Sequence, residues 1–252
     1  ILTGCCACLA LNVGLVLNAN LYADAPPQGG LAAASQIRLV WVDDPSTTMT
    51  IAWTHGGGSD ATVHYGTTDQ GRNAVAYAMT ASVDRTATYS GGGGDIVSQF
   101  ARLSGLNPDT KYFFVLSDDS GISPRYYFRT AADVPSAFSF IAGGDSRNNR
   151  IVRQRGNRMV AKLRPLFVAF TGDMIDSDNA IEWDEWLADW QQTVSQDGRM
   201  YPILPHRGNH EGGGNSTIYD LFDTTPDNYY ALSFGGNLLR YYVLNSEYEQ
   251  YT

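Results

Sequence analysis

The hydrophobic rhythm of this chain changes once, between residues 131 and 135, and that change limits the fold more than any other feature. From Gln36 onward "IRLVWV", "TMTIAW", "TVHYG", "KYFFVL" and "RYYFRT" alternate or run apolar over strand length, broken by "DDPST", "HGGGSD" and "SGGGGD". Short strands separated by turn signals predict an antiparallel β-sandwich. After "FRTAADVPS" the unit is longer. "AFSFIAGGDS", "LFVAFTGDMID" and "MYPILPHRGNHE" are apolar runs separated by helical stretches. Strand, helix, strand, helix, strand predicts parallel βαβ units.

Each helix has its own signature. "IVRQRGNRMVAKL" is stopped by Pro165, and "IEWDEWLADWQQTV" sets Trp183, Trp186, Leu187, Trp190 and Val194 on one face at helical spacing. In the first region, "GLNPDTKYFF" puts Leu106, Pro108, Thr110 and Tyr112 at alternate positions, the pattern of a tyrosine corner. That spacing resembles fibronectin type III domains. The glycine clusters at 56–58 and 91–94 read as loop tips, because no Lys-Ser/Thr or helix start follows to make a phosphate cradle. His55 and His64 read as an ordinary loop residue and an ordinary strand-face residue.

The 252 residues, 43% apolar and 17% charged, suffice for a buried core and two domains. A net charge of −9 argues against nucleic acid, which demands a basic surface. An anionic substrate would then need its positive charge from metal ions. All three cysteines, Cys5, Cys6 and Cys8, lie in the first eight residues, so disulfides and cysteine-zinc clusters are not expected elsewhere. Residues 1–23 carry no charge, and "CLALNVGLVL" reads as the apolar part of an export signal. "LTGC" resembles a lipoprotein lipobox and "ADA" at 23–25 a signal-peptidase site; an uncleaved anchor is the other reading. The expected location is secreted or in the cell envelope, with any membrane attachment running through this leader.

The apolar runs of the second region end on chemistry-bearing residues. Asp145, Asp173 and Asn209-His210 follow successive strands, 28 and 36 residues apart, spacings that fit βαβ crossovers. In parallel sheets the ligand site lies beyond the carboxyl ends of the strands. Carboxylate, amide and imidazole groups suit hard or borderline cations. Taken singly, Asp145 and Asp173 also suit helix caps, and Asp176 suits the cap of the helix holding Trp183.

The three tips "GGDSR", "TGDMID" and "RGNHE" resemble the first motifs of the calcineurin-like metallophosphoesterases. With the sandwich before them and "WDEWLADWQ" leading to "RGNHE", the chain resembles the purple acid phosphatase branch. That resemblance implies a leader over 1–34, a fibronectin-like sandwich over 35–131, and the N-terminal half of a metallophosphoesterase domain over 135–252. It implies a hydrolase of phosphate esters with two metal ions, iron, zinc or manganese. By it Asp145 binds the first metal, Asp173 bridges both, Asn209 binds the second, and His210 stabilises the transition state or protonates the leaving oxygen.

Two positions depart from the resembled pattern. Asp176 stands where those phosphatases carry the tyrosine that colours a ferric centre, so the first metal need not be ferric. Arg147 stands where the wider superfamily has histidine; it cannot bind metal, but can fork onto a phosphate oxygen or rest as a solvated charge. The resembled family's downstream histidine ligands have no counterpart after His210, which makes a fragment with little activity of its own the expectation. A non-catalytic exported protein that binds through its fibronectin-like module is the alternative.

Overall fold

The structure, a computed structural model, describes residues 34–212 and 216–247. The leader readings therefore lie outside the described residues. Within them no helix is long and apolar enough to cross a membrane.

The first region is the expected sandwich. Strands β1 (Ala34–Val40), β2 (Met49–His55), β3 (Thr62–Gly66), β4 (Met79–Ser82) and β5 (Arg85–Gly91) are followed by β6 (Gly94–Leu103), β7 (Lys111–Asp118), β8 (Gly121–Ile122) and β9 (Tyr126–Arg129). One layer runs β1-β2-β6-β5; the other runs β4-β3-β7, with β8 and β9 both pairing β7. Alternation drives this pairing: β6 and β7 each turn apolar side chains such as Phe100, Phe114 and Leu116 into the interior, with none of their surface exposed. Tyr112 forms the predicted corner, its hydroxyl accepting the Asn107 N–H at 2.8 Å. The 91–94 glycines form the β5–β6 hairpin tip. The tip's Gly92 carbonyl accepts the Ala180 N–H at 2.9 Å.

The second region contains β10 (Ile141–Gly143), α1 (Arg150–Leu163), β11 (Val168–Phe170), α2 (Ala180–Trp190), β12 (Pro202–Pro205), α3 (Ser216–Phe222), β13 (Tyr230–Phe234) and β14 (Leu239–Val243). β10, β11 and β12 are parallel neighbours in that order. Helix α1 ends where Arg164 turns left-handed (φ 54°) one residue before Pro165. The α2 face forms as read as far as Trp190, with Trp183, Trp186 and Leu187 fully buried and Trp190 nearly so; the helix ends there, and Val194 lies beyond it in extended backbone after the tight turn Gln191–Thr193. Each buried side chain of the α2 face contributes roughly 1.5–3 kcal/mol by burial. β13 and β14 close around a Gly235-Gly236 turn in which both glycines have positive φ.

The rhythm change at 131–135 does not divide the hydrogen bonding. β1 pairs β2 antiparallel on one side and β12 parallel on the other, Leu39 with Pro202 and Val40 with Ile203. One seven-stranded sheet, β10-β11-β12-β1-β2-β6-β5, therefore runs through both regions. One core cluster likewise holds Trp53 and Phe114 of the sandwich with Phe167, Leu204 and Phe234. At the seam, the buried Asp223 carboxylate pairs with Arg102 at 2.7 Å and Arg85 at 3.2 Å. Arg38 is fully buried there and, among the described residues, has no carboxylate partner; it donates to Leu221 O, Gln36 O and Ser98 Oγ. Burial lowers its pKa to about 9.

Candidate functional site at the strand ends

The carboxyl ends of β10, β11 and β12 meet on one side of the sheet, and glycines let their loops close on each other. Gly172 has φ 87°, and a Cβ there would lie 2.6 Å from Gly208 N. A Cβ on Gly208 would collide with the backbone of Asp173 at 2.6 Å and with Glu211 Oε2 at 2.9 Å. Only glycine permits this approach. Asp145, Arg147 and Asp173 themselves hold left-handed φ of 54°, 41° and 53°. Strained, non-glycine backbone of this kind concentrates where side chains must be aimed.

The loops are cross-linked by backbone bonds. Asp145 N donates to Gly172 O at 2.9 Å, and Arg147 N to Asp173 O at 3.1 Å. Glu211, with no exposed surface, accepts the N–H groups of Asp173 (3.0 Å), Met174 (2.6 Å) and Gly208 (2.7 Å). Burial pushes its carboxyl pKa up against those three donors. Glu182 secures the neighbouring loop in the same manner. It accepts from Asp176 N at 2.7 Å and Ser177 N at 3.0 Å, while its own N–H donates to Asn179 Oδ1 at 2.9 Å. Asp178 then accepts from Tyr89, Trp183 and Thr217.

That network settles the capping alternative. The α2 cap is Asn179, and α1 begins after Asn149 without a side-chain cap. Asp145, Asp173 and Asp176 cap neither helix.

The side chains meet around Arg147. Its guanidinium lies 2.6 Å from Asp145, 3.5 Å from Asp173 and 3.7 Å from Asp176. The hydrogen bond to Asp145 raises its pKa above the ordinary arginine value. From the third strand end, His210 N donates to Asp173 Oδ1 at 3.2 Å, and His210 Nδ1 lies 2.6 Å from Asp176 O. A carbonyl can only accept, so Nδ1 carries the proton in this contact. Asn209 stands exposed beside His210; among the described residues its side chain takes no part in these contacts.

A metal centre is met in kind but not in arrangement. The donors are oxygens suited to hard or borderline cations, and three carboxylates facing one guanidinium leave a formal surplus of negative charge. Yet among the described residues no three His, Cys, Asp or Glu side chains are grouped to hold an ion. The guanidinium of Arg147 stands among those carboxylates.

Sequence reading singled out Asp145, Arg147, Asp173, Asp176, Asn209 and His210 at the strand ends; in the structure Arg147 lies beside the three aspartates and His210 contacts Asp173 and Asp176, while the Asn209 side chain joins none of these contacts among the described residues. Sequence reading assigned nothing to Glu211, Glu182 or Asp178. The Asn179-x-x-Glu182 spacing is a capping signature that would have pointed to Glu182. Glu211 carries no such signal, because its partners are all backbone.

The family model for the N-terminal domain of purple acid phosphatases matches residues 34–130. No curated protein sequence matches the chain. Among solved structures, the chain is similar to purple acid phosphatase PPD1 from yellow lupin (Lupinus luteus) seeds, 17% identical, with a TM-score of 0.57 over 82% of this chain and 44% of that one. It is also similar to PhoD, 13% identical, with a TM-score of 0.58 over 89% of this chain and 53% of that one. The chain thus spans about half the length of each. The first region thus matches the N-terminal domain of purple acid phosphatases, and the fold over most of the chain's length is similar to those of purple acid phosphatase PPD1 and PhoD.

Proposed function

We propose that the strand-end residues belong to a metal-dependent phosphoesterase site that hydrolyses phosphate esters, with Asp145, Asp173, Asp176 and Asn209 as metal ligands. The observation that carries this is the meeting of three aspartates, an arginine and a histidine on left-handed, glycine-flanked loops beyond three parallel strands. Ions held there would supply a deprotonated water at neutral pH and positive charge for the phosphate oxygens. The chain's own residues do the rest. Arg147, on leaving Asp145, presents a planar fork that matches two phosphate oxygens. His210, with Nδ1 committed to Asp176 O, has Nε2 left to exchange a proton with the leaving oxygen. Glu211 and Glu182 keep the Asp173–Asp178 loop fixed, so that its carboxylates need not reorganise.

The test brings metal and ester together. In the metal-stripped chain loaded with Mn²⁺, the ³¹P resonance of phenyl phosphate should broaden by paramagnetic contact, and Asp173→Asn should remove the effect. Broadening that is absent, or equal in Asp173→Asn, would overturn the reading.

A further inference from the structure

At the opposite ends of the same strands lies a second polar feature. The segments leading into β10, β11 and β12 converge on a cavity of about 240 Å³. Ser139 lines it from before β10, Arg164 and Leu166 from before β11, and Arg199 from before β12, while Asp109 and Arg129 of the sandwich close the far side.

Two of the three arginines already have carboxylates. Arg129 Nε is 2.8 Å from Asp109, and Arg164 Nη2 is 2.8 Å from Asp197 and 2.7 Å from the Tyr127 hydroxyl. Arg199 differs. Among the described residues it forms no ion pair, its Nη2 donates to Pro165 O at 3.2 Å, and its guanidinium lies over the Tyr201 ring at 5.0 Å. Its Nε is the one buried side-chain nitrogen or oxygen of the described residues with no hydrogen-bond partner. Native interiors rarely leave a donor unmatched, and an absent ligand is a standard reason when they do.

We propose that this cavity is a binding site for a small oxyanion, a phosphate or carboxylate group, received by Arg199 with Arg164 and Arg129 at its sides. The charges favour such a ligand: with Arg129 paired to Asp109 and Arg164 to Asp197, Arg199 leaves one positive charge at the cavity wall unmatched among the described residues. Burial lowers the Arg199 pKa; an anion beside it would act in the opposite direction by favouring the charged guanidinium. Leu166 offers an apolar wall for the remainder of an organic anion. The site does not depend on the strand-end phosphoesterase reading, because it uses none of those residues and lies at the other end of the strands.

The test is a calorimetric titration of the 252-residue chain at pH 7 in a chelator and at constant ionic strength, with inorganic phosphate in one arm and acetate in the other. Saturable binding of one anion per chain is expected, with the tighter arm naming the group recognised. Arg199→Gln should weaken it about tenfold or more, and Arg147→Ala at the strand-end site should leave it unchanged. Ser139→Glu sets a competing carboxylate at the cavity wall and should weaken binding likewise; it decides the matter alone if Arg199→Gln does not fold. No saturable binding in either arm, or binding that survives Ser139→Glu or is lost in Arg147→Ala, would overturn the proposal.

Discussion

The carboxylate of Glu211 accepts the backbone N–H of Asp173 at 3.0 Å. A residue from the loop after β12 thus sets the position of the aspartate at the end of β11. The same carboxylate holds Met174 N and Gly208 N, so one buried acid fixes two of the three strand-end loops. Glu211→Gln should place an amide donor against one of these N–H groups. The expected cost is about 1–3 kcal/mol of stability, read as a lower midpoint in urea, together with weaker Mn²⁺ binding. Unchanged stability would mean that the loops hold themselves.

Gly208 and Gly212 offer a matched pair. A Cβ at 208 would collide with the Asp173 backbone, whereas at 212 it would sit 3.5 Å from Asp178 Cβ in ordinary contact. Gly208→Ala should therefore destabilise by about 2 kcal/mol or more, and Gly212→Ala by less than about 1 kcal/mol. Equal midpoints in thermal melts of the two variants would show that the loops can separate without penalty.

The support for Arg147 reaches back to α2. Asp189 is buried between α1 and α2, where Arg153 (2.6 Å) and Arg150 (3.0 Å) pair with it. Arg153 Nη1 in turn donates to the Arg147 carbonyl. Asp189→Ala would leave the buried Arg153 charge without its partner, a loss of roughly 3–5 kcal/mol. Asp189→Asn should cost less, since it keeps an acceptor. Chemical denaturation of the two variants gives the comparison.

His206, just after β12, is neutral over most of the working pH range because burial lowers its pKa from 6.5 to about 4. Its Nε2 lies 3.3 Å from the Tyr241 hydroxyl. Between these two values the unfolded chain takes up a proton that the folded chain refuses. Stability from this group is therefore complete above pH 6.5 and is lost as pH falls toward 4, by up to about 3 kcal/mol. Glu211, with its pKa raised, contributes a slope of the opposite sign at acid pH. Subtracting the His206→Phe profile from the wild-type one isolates the histidine term, and a difference that does not vary with pH would contradict it.

Much of this was legible in the sequence because it is written in periodicity. The α2 tryptophans, the Tyr112 corner and the three strand ends each follow from spacing alone, and all formed where spacing put them. What was not legible depends on contacts between distant segments. Nothing in "IRLVWV" announces that β1 pairs β12 as well as β2, since a buried central strand reads as the same apolar run in either partnership. The role of Glu211 was hidden because backbone N–H groups leave no mark on the sequence. The grip of Arg147 on three aspartates was hidden for another reason: residues two apart in "GDSR" interact only because the backbone turns left-handed there.

That grip makes a prediction of its own. If the guanidinium stands where a cation would be held, Arg147→Ala should raise Mn²⁺ affinity by about tenfold, a gain of roughly 1.4 kcal/mol. At the same time it should weaken binding of the phosphate ester that Arg147 would otherwise fork. Mn²⁺ titration followed by electron paramagnetic resonance reads the first effect, and ³¹P broadening reads the second. A fall in both would assign Arg147 to holding the loop rather than to competing with metal.

The most direct measurement is anomalous diffraction from crystals of the chain soaked in Mn²⁺. The account predicts a peak bonded to the Asp173 carboxylate, shared with Asp145, Asp176 or Asn209, and Arg147 withdrawn from Asp145. No peak at Asp173 while Arg147 remains on Asp145, or a strongest protein-bound peak away from these loops, would contradict the assignment of the strand ends as the metal centre.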